Sequence, residues 1–240
     1  MWQGKIISVI IPCYNEAEGL RALLPRIPAT IDEVIVVDNG STDETAAVAR
    51  AAGAITVSEP RRGYGRAIKT GFLTATGDIL VVLDGDGTYH PYAIEYFVDI
   101  LEEEGLGFIS GNRLGTDIAT SPASYLRYLG RFVFNVAAWL TEFRRFRDVL
   151  SGMWVLRRSV LPYLNVVADN FYFSQEVVLE AFSRKEFKSA EIPLYFHYDA
   201  RRGQSKINIL RHGLGGLAYF FIRRIRKSLG TWPDCHWDKW

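Results

Sequence analysis

The stretch ILVVLDGDGTYHP, residues Ile79 to Pro91, decides how this chain is read. An apolar run enters Asp84-Gly85-Asp86 directly. One reading is a strand that delivers a carboxylate nucleophile for phosphoryl chemistry. The other is a pair of carboxylates that hold a divalent metal for a nucleotide-linked substrate. The rest of the chain has to choose between them.

Outward from this stretch, strand-like and helix-like segments alternate. IISVIIP and EVIVVD are apolar, β-branched runs and form strands, as do AITVSE, DILVVLD and GFISG. Between them EAEGLRALLPRI has helical period until Pro25 disturbs it. STDETAAVARAAG carries its own signals: Ser41 or Thr42 as cap, Asp43 and Glu44 in the first turn, Gly53 as stop. GRAIKTGFLTAT and YAIEYFVDILEEE complete the helices of the first half. The alternation predicts an α/β fold, a mostly parallel sheet with helices on both faces. Ligands of such sheets bind at the carboxyl ends of the strands, where Asp38 and Asp84 both fall. The second half is less regular. A long helix is expected over SYLRYLGRFVFNVAAWLTEF, a strand over SGMWVLRR and an amphipathic helix over SQEVVLEAFSRK; one or two strands are expected within FKSAEIPLYFHYDARRG.

Composition narrows the function classes. With 240 residues, 48% hydrophobic and 23% charged, the chain suits one large α/β domain. A net charge of +1 does not suit a nucleic-acid binder. Cys13 and Cys235 lie far apart and form neither a metal pattern nor a disulfide framework, which fits a reducing compartment; Cys13 is expected in the core. The apolar start, broken by Ser8 and followed at once by Pro12, is a first strand rather than a signal peptide. The ten-residue run Gly213–Ile222 is too short to cross a bilayer, which takes about 20 residues.

The C-terminal part changes character. Ala200 to Pro233 contains no Asp or Glu and eight Lys or Arg. Within it Leu210, Leu214, Leu217, Phe221 and Ile225 share one helical face. Such a basic amphipathic helix suits an anionic membrane surface, with packing on the domain or a dimer contact as the alternative.

The nucleophile reading resembles the opening motif of haloacid-dehalogenase-like phosphatases. That resemblance places the motif on the first strand and asks for a later acidic pair. Here it follows two strand-helix units, and no two aspartates downstream of Asp86 are adjacent, so the reading fails on context. The metal reading finds company. VIIPCYNE, VIVVDNGSTDET, RRGYGRAIKTGF, GDILVVLDGDGTYHP, SGNR, RDVLSG and RRGQSK follow one another in the order they have in family 2 glycosyltransferases. The chain resembles the dolichol-phosphate mannosyltransferase-like (polyprenyl-phosphate hexosyltransferase) branch of that family over roughly residues 6 to 207.

The resemblance implies a GT-A-like, Rossmann-like domain over residues 1–206, then a membrane-surface helix over 207–229 and a tail over 230–240. Asp84 and Asp86 would hold Mg²⁺ or Mn²⁺, with Gly85 leaving room and Thr88 as a candidate third ligand. Pro12, Tyr14 and Glu16 would form the first nucleotide loop, and Asp38 would contact base or ribose. The family often has a second Asp where this chain has Asn39. Gly63 and Gly65 would let the backbone approach the nucleotide, with Arg61 or Arg62 near phosphate. Arg113 and Arg202 would act on phosphate during catalysis. Arg127 and Arg131, with Ser205 and Lys206, would bind the acceptor phosphate. The implied partners are GDP-mannose or UDP-glucose, polyprenyl phosphate, the cytoplasmic face of a membrane and a separate anchoring subunit. A hydroxyl acceptor would instead need a base, for which Asp148 and Glu176 are the candidates. A catalytically silent nucleotide-sugar-binding subunit is the alternative from another class. One departure from the branch is DGDGTYHP, which has three residues between the second Asp and His-Pro where two are common.

Overall fold

The computed structural model describes residues 2, 4–113, 122–196, 201–202, 209–235 and 237; of residues 122–124, 126–127 and 209–211 it describes the backbone alone. Ser205 and Lys206, and the side chains of Arg127 and Leu210, lie outside this description.

Strand β1 (Ile7–Cys13) is buried along its whole length, as an apolar run covered on both faces must be. Helix α1 (Ala17–Leu23) follows, and Pro25 ends it in a short 3-10 turn. Then come β2 (Glu33–Asp38), α2 (Thr45–Ala51), β3 (Ile55–Ser58), α3 (Tyr64–Thr74), β4 (Ile79–Val82) and α4 (Ala93–Glu103). The second half adds β5 (Phe108–Asn112), α5 (Pro122–Glu142), β6 (Trp154–Arg157), α6 (Tyr172–Ser183), β7 (Ser189–Pro193) and α7 (Ile209–Ser228).

The strands form one sheet in the order β3-β2-β1-β4-β6-β5-β7, parallel except for β6, which is antiparallel to both neighbours. Alternate residues feed two cores. Ile10, Val37, Leu80, Val82 and Trp154 join Phe72, Phe134 and Phe173 on one face. Val9, Ile11, Val36, Val81 and Val155 join Leu20, Phe97 and Leu101 on the other.

Two local expectations are corrected. Neither Ser41 nor Thr42 caps α2, which starts at Thr45; Asp43 instead accepts from the Thr45 and Ala17 backbone N–H groups, tying α2 to α1. Nor is α6 amphipathic: Phe173 to Phe182 are all buried. Its polar side is covered by α7, whose Arg223 is fully buried between Glu142 of α5 and Glu180 of α6. Burial alone would raise the Glu180 carboxyl, but Arg223 and Lys227 hold it below the ordinary range. Of the basic residues expected to face a membrane, Arg223 and Lys227 are therefore fastened inward. Leu217 is half-buried against the core, whereas Leu214, Phe221 and Ile225 are exposed. Residues beyond α7 also pack: the Trp237 indole N–H donates to Leu164 O, and its ring meets Phe72 edge-on.

Candidate active site

The antiparallel β6 builds the centre of the site. Its register sets Val82 opposite Trp154, so the residue two past the end of β4 meets the residue two before the start of β6. These are Asp84 and Gly152. A Cβ on Gly152 would lie 2.3 Å from Asp84 Oδ2, so the carboxylate has room only because no side chain is there. The Gly152 N–H donates to the Tyr89 hydroxyl at 2.7 Å, which holds the two segments in place.

Asp84 accepts a hydrogen bond from the Tyr64 hydroxyl at 2.8 Å. Withdrawal from water, and then the negative charge of Asp86, push its carboxyl up to about 7. Asp86 is 7% exposed. Its Oδ1 accepts from Thr88 Oγ1 at 2.6 Å and from the Thr88 backbone N–H at 3.0 Å. Its Oδ2 lies 2.9 Å from the Arg201 guanidinium, and its backbone carbonyl accepts from the Arg202 N–H. Two carboxylates that repel each other are a donor set that favours a cation, and the Arg201 guanidinium already meets one of them. Among the described residues no third His, Cys, Asp or Glu joins them. Protein oxygens would thus fill only part of a hard cation's shell, which suits an ion shared with phosphate and water.

The two acidic residues lie on the wall of a cavity of about 730 Å³, within the range of small-molecule sites. Pro12, Tyr14, Glu16, Gly63 and Gly85 line it. The Arg62 guanidinium stacks 3.6 Å from the Tyr14 ring centroid, bridging the loops after β1 and β3. Asp38 does not line the cavity; its carboxylate accepts from the Ser41 N–H and shapes the loop after β2. Its neighbour Asn39 does line it. Asn39 Nδ2 donates to Glu59 O and Arg61 O, both at 2.8 Å, while Oδ1 accepts from the Gly63 N–H at 2.7 Å. An ionised Asp has no donor for the two carbonyls, so Asn suits this loop better.

The glycines serve packing more directly than nucleotide approach. A Cβ on Gly63 would sit 2.2 Å from Asp169 O, and one on Gly65 would strike Ala168 O and Phe173. Beneath Gly85 lies Cys13 Sγ, 2.8 Å from where a Cβ would be, with Cys13 in the core as expected.

Arg113, just past β5, also lines the cavity. Its Nε and Nη2 donate to Asp148 at 2.6 and 2.8 Å, and Nη2 also reaches Leu150 O. Asp148 is fully buried by this bidentate pair and does not line the cavity, so it orients Arg113 and is no general base. Glu176 is likewise corrected. Its Oε2 accepts from the Val167 and Ala168 N–H groups, it is buried behind the cavity wall, and burial raises its carboxyl despite those bonds. Arg131 is buried, lines the cavity and faces the Tyr128 ring. Arg202 is exposed, and among the described residues it reaches the site through its backbone N–H; Arg201 places its side chain there. Arg201, Gly152 and His212 are the residues that motif reasoning missed. The first stands one place from its match, the second lies inside RDVLSG, and the third belongs to no motif.

Fold and site together define a GT-A-like protein: a mostly parallel sheet whose strand ends open into a cleft with two acidic residues at its centre. The glycosyl transferase family 2 profile matches residues 8–164, and the chain belongs to that family. An uncharacterised glycosyltransferase of Mycobacterium tuberculosis is 36% identical over 182 residues, covering 74% of this chain and 79% of that one. A dolichyl-phosphate hexose transferase of Haloferax volcanii is 28% identical, covering 84% of this chain and 86% of its own. Among solved structures, glucosyl-3-phosphoglycerate synthase of Mycobacterium tuberculosis with Mn²⁺, UDP-glucose and phosphoglyceric acid matches at a TM-score of 0.70 and 26% identity; 97% of this chain and 82% of that one are covered. The same enzyme is also known with Mg²⁺ and UDP.

Proposed function

We propose that this glycosyltransferase moves a hexose, mannose or glucose, from a nucleotide diphosphate donor to polyprenyl phosphate, with inversion at the sugar carbon. One observation carries the acceptor assignment. Among the described residues the only carboxylates on the cavity wall are Asp84, Asp86 and Glu16, all from strand-end loops, while Arg62, Arg113, Arg131, Arg201 and His212 also line it. A neutral hydroxyl needs a base, and both carboxylate candidates are engaged elsewhere. A phosphate monoester, with a second pKa of about 6, arrives already ionised and needs positioning and charge compensation instead.

Asp84 and Asp86 would hold Mg²⁺ or Mn²⁺, which supplies Lewis-acid neutralisation of the departing diphosphate. The bond from sugar C1 to the diphosphate oxygen breaks as the acceptor oxygen bonds to C1, and the electron pair leaves with the nucleotide. Arg113, held by Asp148, and Arg201 would meet phosphate oxygens. Residues 1–206 would do this chemistry, and 207–229 would lie on the cytoplasmic face of a membrane, with or without a separate anchoring subunit. Exposed Leu214, Phe221 and Ile225 of α7, Phe132 and Leu140 of α5 and Phe143 just past it support that placement, with Arg224 and Arg226 as the cations. No helix among the described residues is long and apolar enough to cross a membrane.

The likeness to a phosphoglycerate-using enzyme favours a second reading, a small phosphorylated hydroxyl acceptor with His212 as base. A donor panel of GDP-mannose and UDP-glucose, tested against both acceptors with and without chelator, separates the two. Chelator-sensitive transfer of sugar into extractable lipid is expected. Transfer to phosphoglycerate alone would overturn the first reading.

A further inference from the structure

We propose that the cavity continues into a channel for the first isoprene units of the acceptor, and that Gly130 of α5 and Gly213 of α7 set its width. The inference rests on the polyprenyl-phosphate reading and concerns a part of the cavity that no sequence motif touches.

Beyond the acidic pair the wall changes chemistry. Phe134, Phe171, Tyr172 and Gly216 line it there, with Gly130 and Gly213. Two of the helical glycines on α7 have a packing reason. A Cβ on Gly215 would strike the Tyr172 hydroxyl at 2.0 Å, and one on Gly216 would meet the Phe134 ring at 2.8 Å. Gly130 and Gly213 show none among the described residues: a Cβ at either position would meet no described atom within 4 Å. Both stand inside helices, where glycine is a poorer choice than alanine. Neither adopts the left-handed backbone that would demand it. What their missing side chains leave open is space at the cavity wall.

The neighbours of these glycines give the space a direction. On α5 the order is Leu129, Gly130, Arg131; on α7 it is His212, Gly213, Leu214. In each trio the leucine is exposed, 49% for Leu129 and 69% for Leu214, and the glycine and the basic residue line the cavity. Successive helical residues point about 100° apart, so each helix turns from a nitrogen-bearing side chain, Arg131 or His212, through a gap to an outward apolar side chain. Two helices remote in sequence present the same arrangement, one in each chain direction. It matches an amphiphile with an anionic head inside and an apolar chain leaving past the glycines. A small phosphorylated acceptor has no use for such an exit.

Gly130→Ala, Gly130→Leu, Gly213→Ala and Gly213→Leu test this with detergent-solubilised undecaprenyl phosphate, so that membrane attachment is not being read. The KM for that acceptor should rise with side-chain size, at least tenfold for leucine and little for alanine. Affinity for UDP or GDP with Mn²⁺, measured by calorimetry, should stay within twofold of wild type. Leucine variants with a wild-type acceptor KM would overturn the channel, as would equal loss of nucleotide affinity, which would mean the glycines serve the fold. A wild-type protein that ignores prenyl phosphates altogether would instead overturn the acceptor reading, and the channel with it.

Discussion

The two halves of the cavity are built in different ways. The half proposed for the donor is made of loops a few residues long, each following a strand, and each tied to its neighbour by hydrogen bonds: Asn15 to Ser41 and Thr42, Asn39 to Glu59, Arg61 and Gly63. The half proposed for the acceptor is made of α5, α6 and α7, held together by the ion pairs of Arg223 with Glu142 and Glu180. Short loops on a parallel sheet constrain their side chains through backbone geometry, so the donor half is specified residue by residue. The helical half is specified by packing and charge balance, so its function depends on the helices staying docked.

The contrast can be broken first at the acidic pair. Asp84→Asn and Asp86→Asn should each lower transfer by about a thousandfold, the scale of losing a preorganised electrostatic element. The fold should persist, and the melting temperature of Asp84→Asn should match or exceed wild type because a charge crowded by Asp86 is gone. Steady-state kinetics and a thermal melt read both; unimpaired transfer would remove the metal assignment.

On the helical side, Arg223→Met leaves Glu142 and the fully buried Glu180 short of a partner. It should destabilise the protein by about 3 kcal/mol. Denaturant unfolding should show this, and a loss below 1 kcal/mol would mean that Lys227 and Arg184 suffice.

Gly152→Ala sharpens the comparison, because it alters the donor half through a strand of the second half. The added methyl must displace Asp84 or the backbone. Transfer should fall about tenfold to a hundredfold, the cost of misplacing a reacting group by about 1 Å. Nearly normal turnover would show that the Asp84 side chain can move aside without penalty.

Asn39→Asp should have the smallest effect. It keeps the acceptor for the Gly63 N–H and loses the donor to two carbonyls, at a cost of about 1–2 kcal/mol. Donor KM should rise severalfold, and an unchanged value would mean that the loop holds without this residue.

Much of this was legible early because strands and their terminal loops are local. ILVVL before Asp84 and IISVIIP before Tyr14 carry the period and composition of buried strands, and the residues after them must then emerge at the sheet's carboxyl edge. The amphipathic expectation for α6 failed because period describes one helix alone. Glu176 and Glu180 have the look of a solvated face until α7 is seen to cover them. The same blindness put Arg223 and Lys227 on a membrane face and Asp148 among the bases. Whether a charge meets water or a partner is set by segments far along the chain.

The order of amino acids alone determined the alternating α/β pattern, the acidic pair at a strand end and the strand-end loops that line the cavity, since each follows from neighbours a few residues apart. Only the tertiary structure decided that Gly152 makes room for Asp84, that Arg201 rather than Arg202 turns inward, and that Gly130 and Gly213 face the same cavity. These depend on sheet register and helix docking, which bring together residues that no local pattern connects.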